Sequence, residues 1–174
     1  SGTYTVYATN ANGCVTSSSR DVTVNSTTAS VTGTTNVCVG GSINLIASGG
    51  NSYQWAGPNG FISTAHSILR TGATTTMSGV YSVTVSNAIG CTGTANIMVT
   101  VHAMPSATLG GTTSICSGGT ITITAPAGAT SYVWSGPNSF TATGGPSLVR
   151  PNANSTMAGQ YKVTVTNAGG CTAS

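Results

Sequence analysis

One motif, G-x-Y-x-V-x-(V/A)-(T/S)-N-x-x-G-C, occurs three times in the chain: from Gly2 to Cys14, from Gly79 to Cys91 and from Gly159 to Cys171. The copies begin 77 and 80 residues apart. A fixed period of that size predicts tandem copies of one small unit. The chain starts and stops in mid-repeat, so the sequence reads as a window on something longer. The expected divisions are residues 1–26, the end of a repeat carrying its last two strands; 27–102, a complete repeat; and 103–174, a repeat lacking most of its last strand.

Within a repeat the pattern is that of short strands. Ile43, Leu45 and Ala47 alternate with polar residues, and Thr92 to Val101 alternates Thr with apolar side chains. Such alternation suits half-buried strands. Gly57-Pro-Asn-Gly60 and its copy Gly136-Pro-Asn138 are turn signals. Tyr53-Gln-Trp55 and Tyr132-Val-Trp134 mark a short central strand. About seven strands fit in each unit without a convincing helix, which predicts an all-β sandwich. The connectors Asn25–Thr28 and His102–Pro105 are short, so the units are expected to form a fairly stiff, elongated array.

Charge is scarce: 3% of residues against about 25% in ordinary proteins. Asp21 is the only acidic side chain, so no carboxylate pair exists for glycosidase chemistry and no side-chain calcium cage can be built. The four cations, Arg20, Arg70, Arg150 and Lys162, are scattered, which argues against a nucleic-acid partner. No apolar run approaches the roughly 20 residues that cross a bilayer, so no membrane insertion is expected. No nucleophile elbow or base-plus-acid set is visible, His66 and His102 lack metal-ligand spacing, and the reading is a non-enzyme without cofactor or metal. Little repulsion would separate neighbouring molecules, so lateral self-association is expected.

The five cysteines recur at two places in the repeat. Cys14, Cys91 and Cys171 end the long motif; Cys38 and Cys116 open a C-x-G-G turn. The simplest pairing is within each repeat, Cys38–Cys91 and Cys116–Cys171, leaving Cys14 unpaired in the window. Each bond would close a loop of 53 or 55 residues, worth about 4 kcal/mol on the chain-entropy model. Disulfides imply an oxidising compartment, hence an extracellular or cell-surface location. Trp55 and Trp134 are read as core residues rather than sugar-stacking platforms. Arg70 and Arg150 are read as exposed strand or loop residues aiding solubility rather than as a repeated ligand contact.

A central-strand Trp followed by G-x-Y before an alternating strand resembles the immunoglobulin fold. Tyr4, Tyr81 and Tyr161 resemble its tyrosine corner, which implies core positions for them. Two residues on, where antibody domains carry a cysteine, this chain has Val6, Val83 and Val163. The fuller pattern, C-x-G-G … Y-x-W-x-G-P-N-x-F … G-x-Y … N-x-x-G-C-T, resembles the Ig-like repeats of very large secreted proteins of Bacteroidetes, among them cell-surface adhesins and cargo of the type IX secretion system. That resemblance implies a structural or adhesive segment of an extracellular fibre or stalk. Its partners would be neighbouring repeats of the same chain, other fibres and cell-surface glycans. The alternative is a carbohydrate-binding or spacer module of a secreted multidomain protein.

Overall fold

The computed structural model describes residues 1–174. It is all-β, with three single-turn 3₁₀ segments as the only helical pieces. The first two strands, β1 (Gly2–Thr9) and β2 (Val15–Val22), form an antiparallel hairpin that pairs with no other strand. Its cross-strand contacts are polar: Thr3 donates to the Asp21 carboxylate at 2.6 Å, and the Thr5 and Ser19 hydroxyls lie 2.9 Å apart.

Eight strands follow and enclose the first core: β3 (Ser30–Gly33), β4 (Asn36–Cys38), β5 (Ile43–Ser48), β6 (Ser52–Gly57), β7 (Phe61–Ser63), β8 (Ser67–Arg70), β9 (Gly79–Ser86) and β10 (Thr92–His102). They form two sheets, ordered β3-β5-β8 and β4-β10-β9-β6-β7. Alternation does the sorting. In β5, Ile43, Leu45 and Ala47 are buried while Asn44, Ile46 and Ser48 face out; in β9, Tyr81, Val83 and Val85 are buried. These side chains meet Trp55, Ile68, Ala73, Val99 and Val101 between the sheets. One strand, β4, has no counterpart among the strands expected from sequence. It runs parallel to the end of β10, pairing Asn36 with Thr100 and Cys38 with His102.

A second pair of sheets repeats the plan with β11 (Gly110–Gly111), β12 (Ile121–Thr124), β13 (Ser131–Gly136), β14 (Phe140–Gly144), β15 (Ser147–Arg150), β16 (Lys162–Thr166) and β17 (Thr172–Ala173). The orders are β11-β12-β15 and β14-β13-β16-β17. Its core holds Ile121, Ile123, Tyr132, Trp134, Leu148, Ala153, Val163 and Val165.

Two expectations need correction. Tyr4 is not a core residue: it is 69% exposed, whereas its repeat equivalent Tyr81 is fully buried. The cause is that β1 pairs only with β2 and no second sheet covers the hairpin. The disulfide pairing also differs. Cys38 is bonded to Cys171, with their Cα atoms 5.7 Å apart, and Cys14, Cys91 and Cys116 are free. The parallel β4–β10 register explains why Cys38 does not meet Cys91. Cys38 lies beside His102 at the end of β10, and Cys91 immediately precedes its first residue, Thr92. At about 3.3 Å per residue the two ends of this strand are roughly 30 Å apart. A disulfide requires Cα atoms within about 7 Å.

Candidate functional site at the junction of the two sandwiches

The long motif owes its ending to one turn, built the same way three times. In each copy the Asn side-chain oxygen accepts from the backbone N–H of the Cys four residues on: Asn10 from Cys14, Asn87 from Cys91 and Asn167 from Cys171, at 2.9–3.0 Å. It also accepts from the residue two positions on. The Cys carbonyl in turn accepts from the Asn backbone N–H at 3.0 Å in all three. This is an Asx-type turn, in which a short amide side chain replaces a missing backbone partner. The intervening Gly13, Gly90 and Gly170 have φ of 82°, 88° and 78°, the left-handed region where a side chain is strained.

In the last copy the turn is seated on the end of the first sandwich. The Asn167 side-chain amide donates to the Ala103 carbonyl at 2.7 Å. A Cβ on Gly169 would come within 2.2 Å of the His102 ring, so only glycine fits there without displacing that ring. The His102 Nε2 in turn lies 2.9 Å from the Asn36 side-chain oxygen. Cys171, almost fully buried, completes the joint through its bond to Cys38. The junction is therefore a covalent staple with a hydrogen-bonded seat, closed across the connector that follows β10.

A second constellation recurs inside each sandwich. The Arg70 guanidinium sits 4.6 Å from the Phe61 ring centroid and donates from Nη1 to the Tyr81 hydroxyl at 2.6 Å. Tyr81 then donates to the Met77 carbonyl at 3.1 Å. Arg150 lies 4.0 Å from the Phe140 centroid and donates to Tyr161 at 2.7 Å; Tyr161 donates to Met157 at 2.9 Å. The tyrosine hydroxyl thus bonds back to backbone four residues earlier, as a tyrosine corner does. The two arginines, only half exposed, are structural clamps rather than free surface charges. The sequence signal was present in the shared spacing of Phe, Arg and Tyr, but the roles were not readable before the three side chains were seen together. Gly57 and Gly136 complete the arrangement: a Cβ there would lie 2.7 Å from the Tyr81 or Tyr161 ring.

Trp55 and Trp134 lie between their sheets, 0% and 1% exposed. Their indole N–H groups donate to the Ala65 and Gly145 carbonyls at 2.8 and 3.2 Å. Neither presents a face on which a sugar ring stacks. Tyr81 is fully buried and Tyr161 half-buried. No group of three His, Cys, Asp or Glu side chains converges closely enough to hold a metal ion.

An opening of about 470 Å³ lies in the second sandwich beside Ile115, Cys116, Ile121, Ile123, Met157 and Tyr161. The repeat-equivalent position in the first sandwich is filled by the end of β10. There Val101 exchanges hydrogen bonds with the Ser78 hydroxyl, Thr100 N–H donates to Thr35, and Val39 N–H donates to His102. In the second sandwich β17 is described only over Thr172–Ala173, and no strand among residues 1–174 lies at that position.

Residues 101–174 match the PKD-like domain family. Several solved structures are similar in fold. A chain from the complex of the mouse coronavirus receptor-binding domain with its murine receptor is 13% identical, with a TM-score of 0.50, over 80% of this chain and 92% of that one. Murine CEACAM1b is 16% identical at a TM-score of 0.47, over 80% and 93%. A chain from a structure of a 1.5-MDa bacterial ice-binding adhesin is 18% identical at a TM-score of 0.45, over 98% of this chain and 70% of that one. No curated protein sequence matches the chain. The fold is Ig-like and all-β. At identities this low the likeness is one of architecture, and function rests on the site.

Proposed function

We propose that this chain is a structural and adhesive segment of an extracellular bacterial fibre or cell-surface stalk, built from tandem Ig-like repeats divided near residues 26 and 102. The observation that carries the reading is the Cys38–Cys171 staple between consecutive sandwiches. A bond that closes across a connector restricts the hinge between two units, besides restricting the unfolded chain. It suits a part whose task is to hold a direction. The same bond supports an oxidising, extracellular location. The low charge of the surface supports side-by-side association of such fibres, since little repulsion keeps them apart.

Secretion by a Bacteroidetes type IX system and contact with cell-surface glycans belong to this proposal through the sequence resemblance. The spacer role in a multidomain protein remains its nearest relative, since a spacer also needs a fixed direction. We assign the segment no catalytic step. The test is immunoelectron microscopy of intact producing cells with antibodies raised against the 174-residue polypeptide. Labelling along surface filaments is the expected result. Labelling confined to the cell interior would overturn the reading.

A further inference from the structure

We propose that Cys91 and Cys116 are open halves of a staggered disulfide ladder, in which the C-x-G-G cysteine of each repeat bonds the N-x-x-G-C cysteine of the next. This deepens the tandem-repeat reading above and rests on it. The one rung present, Cys38–Cys171, joins a C-x-G-G cysteine to an N-x-x-G-C cysteine one repeat later. Cys91 and Cys116 each stand where one end of that rung stands.

For Cys91 the equivalence is local and measurable. Its thiol donates to the Asn25 carbonyl at 3.4 Å, and the sulfur of Cys171 lies 3.9 Å from the His102 carbonyl. Asn25 and His102 are the same repeat position, each 11 residues beyond its N-x-x-G-C cysteine. In the bonded case that position is also where Cys38 pairs, beside His102. Cys91 is thus seated on the connector three residues beyond β2, at the repeat position where Cys38 pairs in the bonded case.

Cys116 is held as Cys38 is held. Both carbonyls accept from the second glycine of their turn, Gly41 at 2.9 Å and Gly119 at 3.1 Å. In both turns the first glycine donates to an alanine carbonyl, Gly40 to Ala73 and Gly118 to Ala153, and that alanine donates back to the second glycine. Cys116 is exposed and borders the opening in the second sandwich. Cys91 and Cys116 do not serve each other: Cys91 precedes the first residue of β10, roughly 30 Å from the Cys38–Cys171 joint, and Cys116 stands in the second sandwich where Cys38 stands in the first, at the end away from Cys171.

The partner of each is the thiol of another repeat of this kind, either along one chain or on a second molecule. Forming a rung removes two protons and two electrons from two thiols. A protein or small-molecule disulfide oxidant takes them up and leaves as two thiols.

The test is a disulfide peptide map after trapping with N-ethylmaleimide. In the 174-residue protein, refolded in glutathione buffer, the expected result is a Cys38–Cys171 link and no link from Cys91 to Cys38 or from Cys116 to Cys171. In the Cys38→Ser protein, Cys171 should remain alkylated rather than re-pair with Cys116. In the protein purified oxidised from its source, Cys91 should be linked to a C-x-G-G peptide and Cys116 to an N-x-x-G-C peptide. Comparison of the masses with and without reduction then tells one chain from two. Within-repeat links, a Cys91–Cys116 link, or free thiols at both positions in the source protein would overturn the ladder. Free thiols in a protein that still labels surface filaments would remove the ladder alone. A complete ladder in a protein that does not label them would remove the location alone.

Discussion

Replacing Arg70 with Met tests whether the Arg–Phe–Tyr clamp holds the sandwich or merely decorates it. The side chain keeps its apolar bulk over Phe61 and loses its charge. Two interactions disappear: the hydrogen bond to the buried Tyr81 hydroxyl and the cation–π contact with Phe61 at 4.6 Å. A hydrogen bond to a charged group contributes about 1.5–3 kcal/mol. A half-exposed cation–π contact contributes about 0.5–1 kcal/mol. Part of this is recovered, because Tyr81 keeps its bond to Met77 and so is not orphaned. The net cost should be about 2 kcal/mol. For a unit of fewer than a hundred residues each kcal/mol moves the midpoint by about 4–8 °C, so a fall of roughly 8–16 °C is expected. The assay is thermal unfolding followed by circular dichroism, with Arg20→Met on the exposed hairpin as the control for lost charge. A double-mutant cycle with Tyr81→Phe should return a coupling near 1 kcal/mol. An Arg70→Met midpoint indistinguishable from that of Arg20→Met would refute the clamp and return the arginine to a solubility role.

Gly57→Ala should destabilise the first sandwich by about 1–3 kcal/mol, because the new Cβ lies 2.7 Å from the Tyr81 ring; a urea titration with an unchanged midpoint would contradict this. Asn167→Ala removes both turn bonds and the seat on Ala103, so the hairpin it ends should lose about 1–2 kcal/mol, read as faster amide exchange at Gly169 and Cys171. Both tryptophans should emit as buried indoles and resist acrylamide quenching, with no change on adding soluble glycans. Ready quenching in the native state would mean that the rings face solvent.

The central strands were legible because their signal is local. Alternation at Ile43, Leu45 and Ala47 fixes which face of β5 points inward, whatever the partner strand. The burial of Trp55 and Trp134 follows from the same logic. The cysteine pairing was not legible, because it depends on a register between residues 36–38 and 100–102. Three short polar and apolar residues ahead of a turn give no sign that they form a strand, still less a parallel one. Without β4, nothing places Cys38 at the far end of β10. The Arg70 clamp was hidden for a related reason: its members come from β7, β8 and β9, and their meeting is a property of the packed sandwich.

The parallel edge also sets the order in which this chain can mature. The β4–β10 ladder joins residues 64 positions apart. Pairings that distant close slowly, since much chain must be ordered before any contact rewards it. A unit synthesised from its N-terminus therefore stays open along that edge until its final strand has emerged. Cys38 then waits longer still, for a partner 133 residues downstream. An oxidant that acted at once would trap it with the wrong thiol, so faithful assembly favours a reshuffling environment over a merely oxidising one.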